Sequence, residues 1–172
     1  YKRQNRNSAG GAPDYYDPNW KPHTNILITG NYINQGASAY ACNGIYLCGV
    51  KDSVVEKNLL EHIGTCGIEL FFADNVAIQY NEVFDVRHKG GGQDSNAIDP
   101  DWRATNILIQ YNYVHDCGEG LLLCGMKFNS GIIRYNLIQD CLYSYVHYSM
   151  GGGYFQFSNN VSVSYTHLTL PT

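Results

Sequence analysis

Apolar and polar residues alternate over short stretches of this chain, and each stretch ends at an asparagine. The asparagines follow one another at spacings of 27, 23, 31, 24 and 24 residues. The residue three positions before each asparagine is large and apolar, and most of the residues that follow it are polar. This period of two predicts a β-strand with one buried face. The asparagines are Asn31, Asn58, Asn81, Asn112, Asn136 and Asn160, and the inward residues are Ile28, Val55, Ile78, Ile109, Ile133 and Phe157.

A second apolar strand follows in each unit, usually after a glycine. Its copies occupy 44–47, 67–70, 96–99 and 120–123. The repeat is too short for a helix pair or a propeller blade, and no stretch keeps a helical period. Each unit is therefore predicted to be one coil with at least two strands joined by tight bends. Equivalent positions would stack along the axis at about 4.8 Å.

These phrases resemble the right-handed parallel β-helix proteins of the pectin-lyase-like superfamily, over roughly Thr24 to Ser164. The phrase at 109–116, with the strand at 118–124, is similar to carbohydrate-active β-helix proteins of polysaccharide-degrading bacteria. The resemblance implies an all-β, right-handed parallel β-helix (solenoid) of about six coils. It also implies a secreted or cell-surface bacterial protein, but it does not select one reaction.

Three segments are expected. Residues 1–23 have turn chemistry without the repeat and form an N-terminal loop or irregular coil, and 24–164 form the β-helix. Residues 165–172 leave the repeat phase and look like a non-native tail. The chain begins without Met or a signal sequence, so we expect a fragment, incomplete at both ends. Missing coils or an accompanying domain of the parent protein would complete it.

The amino-acid composition limits the kinds of molecule that this chain is expected to bind. Lys and Arg number 11 against 15 Asp and Glu, giving a net charge of −4. This balance indicates no basic face for nucleic acid or for an anionic membrane. The apolar runs are also much shorter than a membrane span. With the resemblance, this leaves a polysaccharide or oligosaccharide as the expected ligand.

The best candidate site is the outward column of the second strand. If Ile45 and its equivalents point inward, then Tyr46, Glu69, Asp99 and Leu122 point outward, with His147 next if 145–148 is the fifth copy. Glu69 and Asp99 would be neighbours on adjacent coils. Carboxyl groups about 5 Å apart suit a retaining glycosidase, and their proximity would raise one pKa.

The longest coil adds further candidates beside this pair. A glycine-rich loop at 87–94 contains His88 and Lys89, and the segment after the second strand contains Asp101, Trp102 and Arg103. Trp can stack on a sugar ring, while cationic side chains bind carboxylates or transfer protons. The alternative is a solvated loop with Trp102 covering the side of the β-helix.

Three functions remain open. The first is a glycoside hydrolase in which Glu69 and Asp99 are nucleophile and acid/base, with Asp101 tuning or replacing one of them. The second is a lyase acting on uronates, with His88, Lys89 or an Arg removing the C5 proton. The third is a non-catalytic glycan-binding or adhesin β-helix. The two enzyme functions place the substrate on the second-strand face, the outer surface carrying Tyr46, Glu69 and Asp99, whereas scattered acidic residues would favour the third function.

Cysteine spacing predicts no metal site, because none of the six cysteines has a CysXxxXxxCys spacing. Cys117 with Cys141, and Cys48 with Cys124, are predicted to be reduced thiols in interior columns, with bridging between stacked cysteines as the alternative.

Another column has Gln35, His62, Asp85, Asp116 and Asp140 four residues after the asparagines. Turn capping is the favoured account, with Ca²⁺ as the alternative. No cofactor is otherwise expected.

A last column predicts an interaction surface. The residues four before each asparagine are apolar, although strand alternation points them outward. A stripe of this extent predicts that an accompanying domain, loop or partner packs on it. Residues 1–23 are the alternative cover. The column is Leu27, Val54, Ala77, Leu108 and Ile132, ending at Gln156.

Overall fold

The computed structural model describes residues 20–36, 38–92, 94–126, 129–150 and 153–164, with all of their side chains except those at 124–126 and 148–150. The regular structure of this part of the chain is entirely β-strand. In chain order the strands are β1 (His23–Thr24), β2 (Leu27–Thr29), β3 (Tyr32–Asn34), β4 (Ile45–Glu56), β5 (Leu59–Glu61), β6 (Ile68–Gln79), β7 (Glu82–Phe84), β8 (Asn96–Pro100), β9 (Ala104–Thr105), β10 (Ile107–Gln110), β11 (Tyr113–His115), β12 (Glu119–Met126), β13 (Ser130–Arg134), β14 (Leu137–Gln139), β15 (Tyr143–Met150), β16 (Tyr154–Ser158) and β17 (Val161–Val163).

These strands pair in parallel to form two sheets. The larger has 11 strands, with β15-β12-β8-β6-β10-β13-β16 as its path and β1, β2, β4 and β9 beside it. The smaller has six strands in the order β17-β14-β11-β7-β5-β3. Together they form a solenoid of about five turns, which confirms the prediction of an all-β parallel β-helix.

Each coil contains one strand more than the two that its sequence pattern revealed. The additional strand directly follows the repeated asparagine of each coil and belongs to the six-stranded sheet. Its middle residue is buried in the four central coils, as Leu60, Val83, Val114 and Ile138. The first and second strands both belong to the larger sheet. In β4 and in β6, the second strand of one coil continues through a bend into the first strand of the next coil. A coil is therefore closed by three strand segments.

The six asparagines stack in one row, as predicted. Asn112 illustrates the pattern: its Nδ2 donates to Asn136 Oδ1 at 3.0 Å and to the Ile78 carbonyl at 2.9 Å. Its Oδ1 accepts from the backbone N and the Nδ2 of Asn81, both at 3.0 Å. The same contacts link consecutive members from Asn31 to Asn160. This Asn ladder satisfies buried backbone groups at every turn of the solenoid.

The predicted inward column forms the core. Val55, Ile78, Ile109 and Ile133 are fully buried. Phe157 was predicted to be inside and pairs with Ile133 in the correct register. Its side chain is nevertheless 46% exposed, so its predicted burial is wrong. No further coil of the described residues stacks beyond it, which leaves one ring face uncovered.

The column four residues after the asparagines lies at a corner of the coil. His62, Asp85, Asp116 and Asp140 all have φ between 50° and 57°. Asp and His adopt this left-handed conformation more readily than most residues. The left-handed backbone at this corner therefore accounts for the repeated Asp and His residues, which agrees with the predicted turn. Within the described ranges, no three His, Cys, Asp or Glu side chains are grouped to hold a metal ion, so the calcium alternative gains no support.

The predicted apolar stripe lies on the outer surface. Leu27 and Ile132 are exposed, and Val54, Ala77 and Leu108 are half-buried. Their backbones pair in the predicted register along five strands. Packing of a partner on this stripe stays a prediction. Of residues 1–23, the alternative cover, residues 1–19 lie outside the described residues.

The described cysteines fall into two groups by burial. Cys66, Cys117 and Cys141 are buried, whereas Cys42 and Cys48 are exposed. The prediction of an interior Cys48 is therefore wrong. Cys48 pairs with Phe71 at a position two after the outward Tyr46, so strand alternation turns it away from the core.

Candidate functional site

The predicted carboxylate pair lies on neighbouring strands. Tyr46 pairs with Glu69, and Glu69 pairs with Asp99, in the register that the sequence predicted. His147 does not continue this column: it pairs with Leu123, one residue away. The place predicted for His147 belongs to Val146, so that assignment is wrong.

Both carboxyl groups are covered. Glu69 is 8% exposed and Asp99 is 3% exposed, although they lie outside the coil interior. The Asn43 amide donates to Glu69 Oε2. The Cys66 thiol lies 3.9 Å from Asp99 Oδ2, and Asp99 Oδ1 is buried without a hydrogen-bond partner. Burial of this degree was not predicted, and it limits direct access to the pair.

Burial raises the pKa of Asp99 well above its ordinary value, and four carboxyl groups add to the effect. A buried carboxylate without a counter-charge is costly, so the protonated acid is favoured. A neutral carboxyl can donate a hydrogen bond or a proton, which an ordinary aspartate at neutral pH cannot. The four groups are Asp101, Glu69, Asp94 and Glu119, in decreasing order of effect.

The turn after Asp99 is held by Asn129. The Asn129 amide donates to the Asp101 carbonyl at 2.7 Å and to the Pro100 carbonyl at 3.3 Å. Its Oδ1 accepts from the Ala104 amide at 3.1 Å. Since Asn129 is itself buried, it fixes the backbone that carries Asp101 and Trp102.

Aromatic side chains cluster beside the carboxyl groups. Phe71 lies 6.2 Å from Tyr46, 6.3 Å from Trp102 and 5.1 Å from Phe72, measured between ring centroids. The Arg103 guanidinium lies 6.0 Å from the centre of the Phe72 ring. Tyr46 and Trp102 are each 37% exposed, so this aromatic cluster reaches solvent. The structure thus brings Tyr46, Trp102 and Arg103 together on the second-strand face.

The residues predicted from the glycine-rich loop hold that loop in place. Lys89 Nζ donates to the carbonyls of Gly36 at 3.2 Å and His62 at 3.0 Å. The His88 Nε2 lies 2.8 Å from the Gly92 carbonyl. Burial raises the pKa of Asp94, and the nearby His88 partly offsets that rise. His88 and Lys89 therefore bond to backbone carbonyls of this loop and of neighbouring turns, and their contact with a ligand stays a prediction.

Sequence reasoning missed several residues of this site. Asn96 is fully buried, and both polar atoms of its amide are without a hydrogen-bond partner. None of the missed residues lies in the outward column whose alignment revealed Glu69 and Asp99. They are Asn43, Cys66, Asp94, Asn96, Glu119 and Asn129.

Replacing Asp99 by Asn should remove a pH dependence of stability. Because the pKa of Asp99 is raised in the folded protein, its contribution is present below the ordinary Asp pKa and is lost as pH rises. Thermal unfolding of both proteins from about pH 4 to 8 should show the wild-type midpoint falling relative to that of the variant. Parallel curves would contradict the assignment of a neutral Asp99.

Comparison with known proteins identifies the family of this chain. No curated protein matches the chain, and no solved structure does. A family model described as periplasmic copper-binding protein (NosD) matches residues 12–166. That family has the right-handed β-helix of the pectin-lyase-like type and a periplasmic location, but the match does not support the carbohydrate-active resemblance. Since the match spans most of the sequence, the chain belongs to the NosD family of β-helix proteins.

Proposed function

We propose that this chain is a periplasmic saccharide-binding β-helix protein and that its ligand lies on the second-strand face. The aromatic cluster beside the Glu69 and Asp99 column carries the proposal. Trp102 and Tyr46 are partly exposed and can pack against the apolar face of a sugar ring. Carbohydrate sites combine such surfaces with a few fixed polar groups that orient the ligand.

The polar groups of this face suit hydroxyl-rich ligands. The protonated Asp99 can donate to a sugar oxygen, and its Oδ1 atom has no protein partner. The Asn43 amide donates to Glu69, and a ligand hydroxyl could take the place of that amide. We infer that a ligand gains access when the turns around Ala41 and Gly90 move apart; in this structure the Ala41 amide donates to the Gly90 carbonyl at 3.0 Å.

Copper, which the family description names, does not fit the described side chains. Copper(I) prefers thiolate, thioether and imidazole ligands, yet the part of the chain that the structure describes has no group of three His, Cys, Asp or Glu that could hold an ion. Burial, with the neighbouring carboxyl groups, raises the pKa of Cys66, which disfavours the thiolate that a metal needs. The sulfur-bearing side chains of Cys124, Met126 and Met150 lie outside the described side chains.

Glycoside hydrolysis is the second candidate, favoured by two neighbouring carboxyl groups of which one has a raised pKa. Asp99 would donate its proton to the glycosidic oxygen, while Glu69 would attack the anomeric carbon. Asp101 would act through Asp99 by raising its pKa. The burial of both groups makes binding the better supported of the two functions. A lyase is less favoured, because His88 and Lys89 are engaged in loop contacts.

Replacing Trp102 by Ala should weaken saccharide binding by roughly tenfold or more, because a stacked aromatic face contributes on the order of 1 kcal/mol beyond its buried area. Calorimetric titration with oligosaccharides from plant cell-wall and algal polysaccharides would identify a ligand and measure the loss. Tyr135→Ala is the matched control, since Tyr135 is an exposed aromatic residue outside this face. An equal loss in both variants, or no binding by the wild type, would contradict the proposal.

The same ligands distinguish binding from hydrolysis. Reducing-end release by the wild type, abolished in Glu69→Gln and Asp99→Asn with binding retained, would establish the hydrolase. Binding without any release would leave a non-catalytic protein. Product absorbing in the ultraviolet as an unsaturated uronate would instead identify a lyase.

A further inference from the structure

We propose that Cys117 and Cys141 form a disulfide bond that links two adjacent coils of the solenoid. These cysteines belong to the same column of consecutive coils. Of the other described cysteines, Cys42 and Cys48 are exposed, and Cys66 lies beside Asp99. The inference does not depend on the ligand of the second-strand face.

Backbone pairing brings the two residues side by side. Val114 pairs with Ile138 and His115 with Gln139, three and two residues before the cysteines. The register continues past the strand ends, because the Leu142 amide donates to the Cys117 carbonyl at 3.1 Å. Neighbouring parallel strands lie about 4.8 Å apart, which falls within the Cα separation of about 4.4 to 6.8 Å found for disulfides.

The two side chains leave the backbone in the same direction. The residues before them, Asp116 and Asp140, have nearly equal φ angles of 53° and 50°. Both cysteines therefore follow the same left-handed corner, and both are buried, at 0% and 5% exposure. A neutral disulfide suits this interior column, in which Ile63 and Val86 occupy the equivalent positions of the preceding coils.

The two thiols make equivalent contacts one coil apart: Cys117 donates to the His115 carbonyl at 3.2 Å and Cys141 to the Gln139 carbonyl at 3.5 Å. The proximity of the two thiols lowers the pKa of Cys141 and, with burial, raises the pKa of Cys117. Cys141 is thus the better nucleophile of the two, since the thiolate is the reactive form. The chain belongs to a periplasmic family, and the periplasm is a compartment in which disulfides form and persist.

The bond would form by exchange with an oxidising disulfide while the chain folds. The Cys141 thiolate attacks one sulfur of the oxidant, giving a mixed disulfide and releasing one thiol of the oxidant. Cys117 then loses its proton and attacks the Cys141 sulfur, which releases the second thiol. The chain loses two thiol hydrogens and two electrons, and the oxidant is reduced to a dithiol. The disulfide links the fourth coil to the fifth, counting the coil of Asn31 as the first.

Thiol mapping tests the proposal. The chain is refolded with oxidised glutathione, denatured without reductant, alkylated with iodoacetamide and digested with trypsin. We expect a cross-linked peptide that disappears on reduction, with tandem fragmentation placing the bond between Cys117 and Cys141. Cys117→Ser and Cys141→Ser should each abolish the cross-link, whereas Cys48→Ser should retain it. The oxidised wild type should also unfold at a higher temperature than the reduced protein.

Two results would overturn the inference. One is complete alkylation of both Cys117 and Cys141 after oxidative refolding. The other is a cross-link from Cys141 to a different cysteine that persists in the Cys117→Ser variant. Because wild-type thiol mapping needs no substitution, the test remains decisive even if a serine variant fails to fold.

Discussion

Replacing Ile109 by Asp should unfold this protein. Ile109 is fully buried in the middle of the inward column, between Ile78 and Ile133 on the adjacent coils. The aspartate would place a charge in an apolar interior without a partner, and a substitution of this kind costs more than about 4 kcal/mol. Since domains are stable by only about 5 to 15 kcal/mol, circular dichroism should show little or no cooperative transition near room temperature.

Ile132→Asp is the matched control. Ile132 belongs to the same sheet, but it points outward and is 40% exposed. Its replacement should change the unfolding free energy by less than about 1 kcal/mol, as is usual for surface positions. Equal destabilisation of the two variants would contradict the assignment of the inner and outer columns.

The second large effect is expected at the Asn ladder. Asn112→Ala removes both side-chain donations of Asn112, together with the Oδ1 acceptor for Asn81. Buried groups left without partners cost about 1 to 3 kcal/mol each, so the loss should be on the order of 3 to 5 kcal/mol. Urea denaturation followed by circular dichroism would measure it, and the transition midpoint should fall while the slope stays constant.

Asn31→Ala is the comparison for this prediction. Asn31 is the first member of the ladder, and it is exposed. Water can replace the contacts that its side chain makes, so its loss should cost less than about 1 kcal/mol. A similar cost at Asn31 and Asn112 would show that the ladder does not act through buried hydrogen bonds.

The fold was predictable because each coil repeats the same two constraints: an apolar inward residue and an asparagine at the bend. The additional strand was missed because it is short and only its middle residue is buried, as at Val83 and Val114. A segment of three residues shows almost no period of its own. Its inward column becomes visible only after the coils are aligned by their asparagines.

The strand pairing of the site residues could be predicted from the sequence, but their solvent exposure could not. Alignment of Ile45, Ile68 and Ile98 correctly placed Glu69 beside Asp99. Their burial depends on contacts such as Asn43 with Glu69, which join different coils and leave no local pattern. The fifth copy of the second strand was misaligned by one residue, because the polar His147 was taken to point outward. In the structure Tyr145 pairs with the inward Leu121, which places Val146 in the outward column.

The turn between the additional strand and the second strand bears on how such chains change in length during evolution. It occupies 35–44, 62–67, 85–95, 116–118 and 140–142 in successive coils, so it varies more than the strands that it joins. An insertion there leaves the stacking of both sheets intact. The two longest turns contact each other through a bridge between Tyr40 and Gly90. Among homologues we therefore expect insertions and deletions to concentrate at this corner, and the lengths of those two turns to covary.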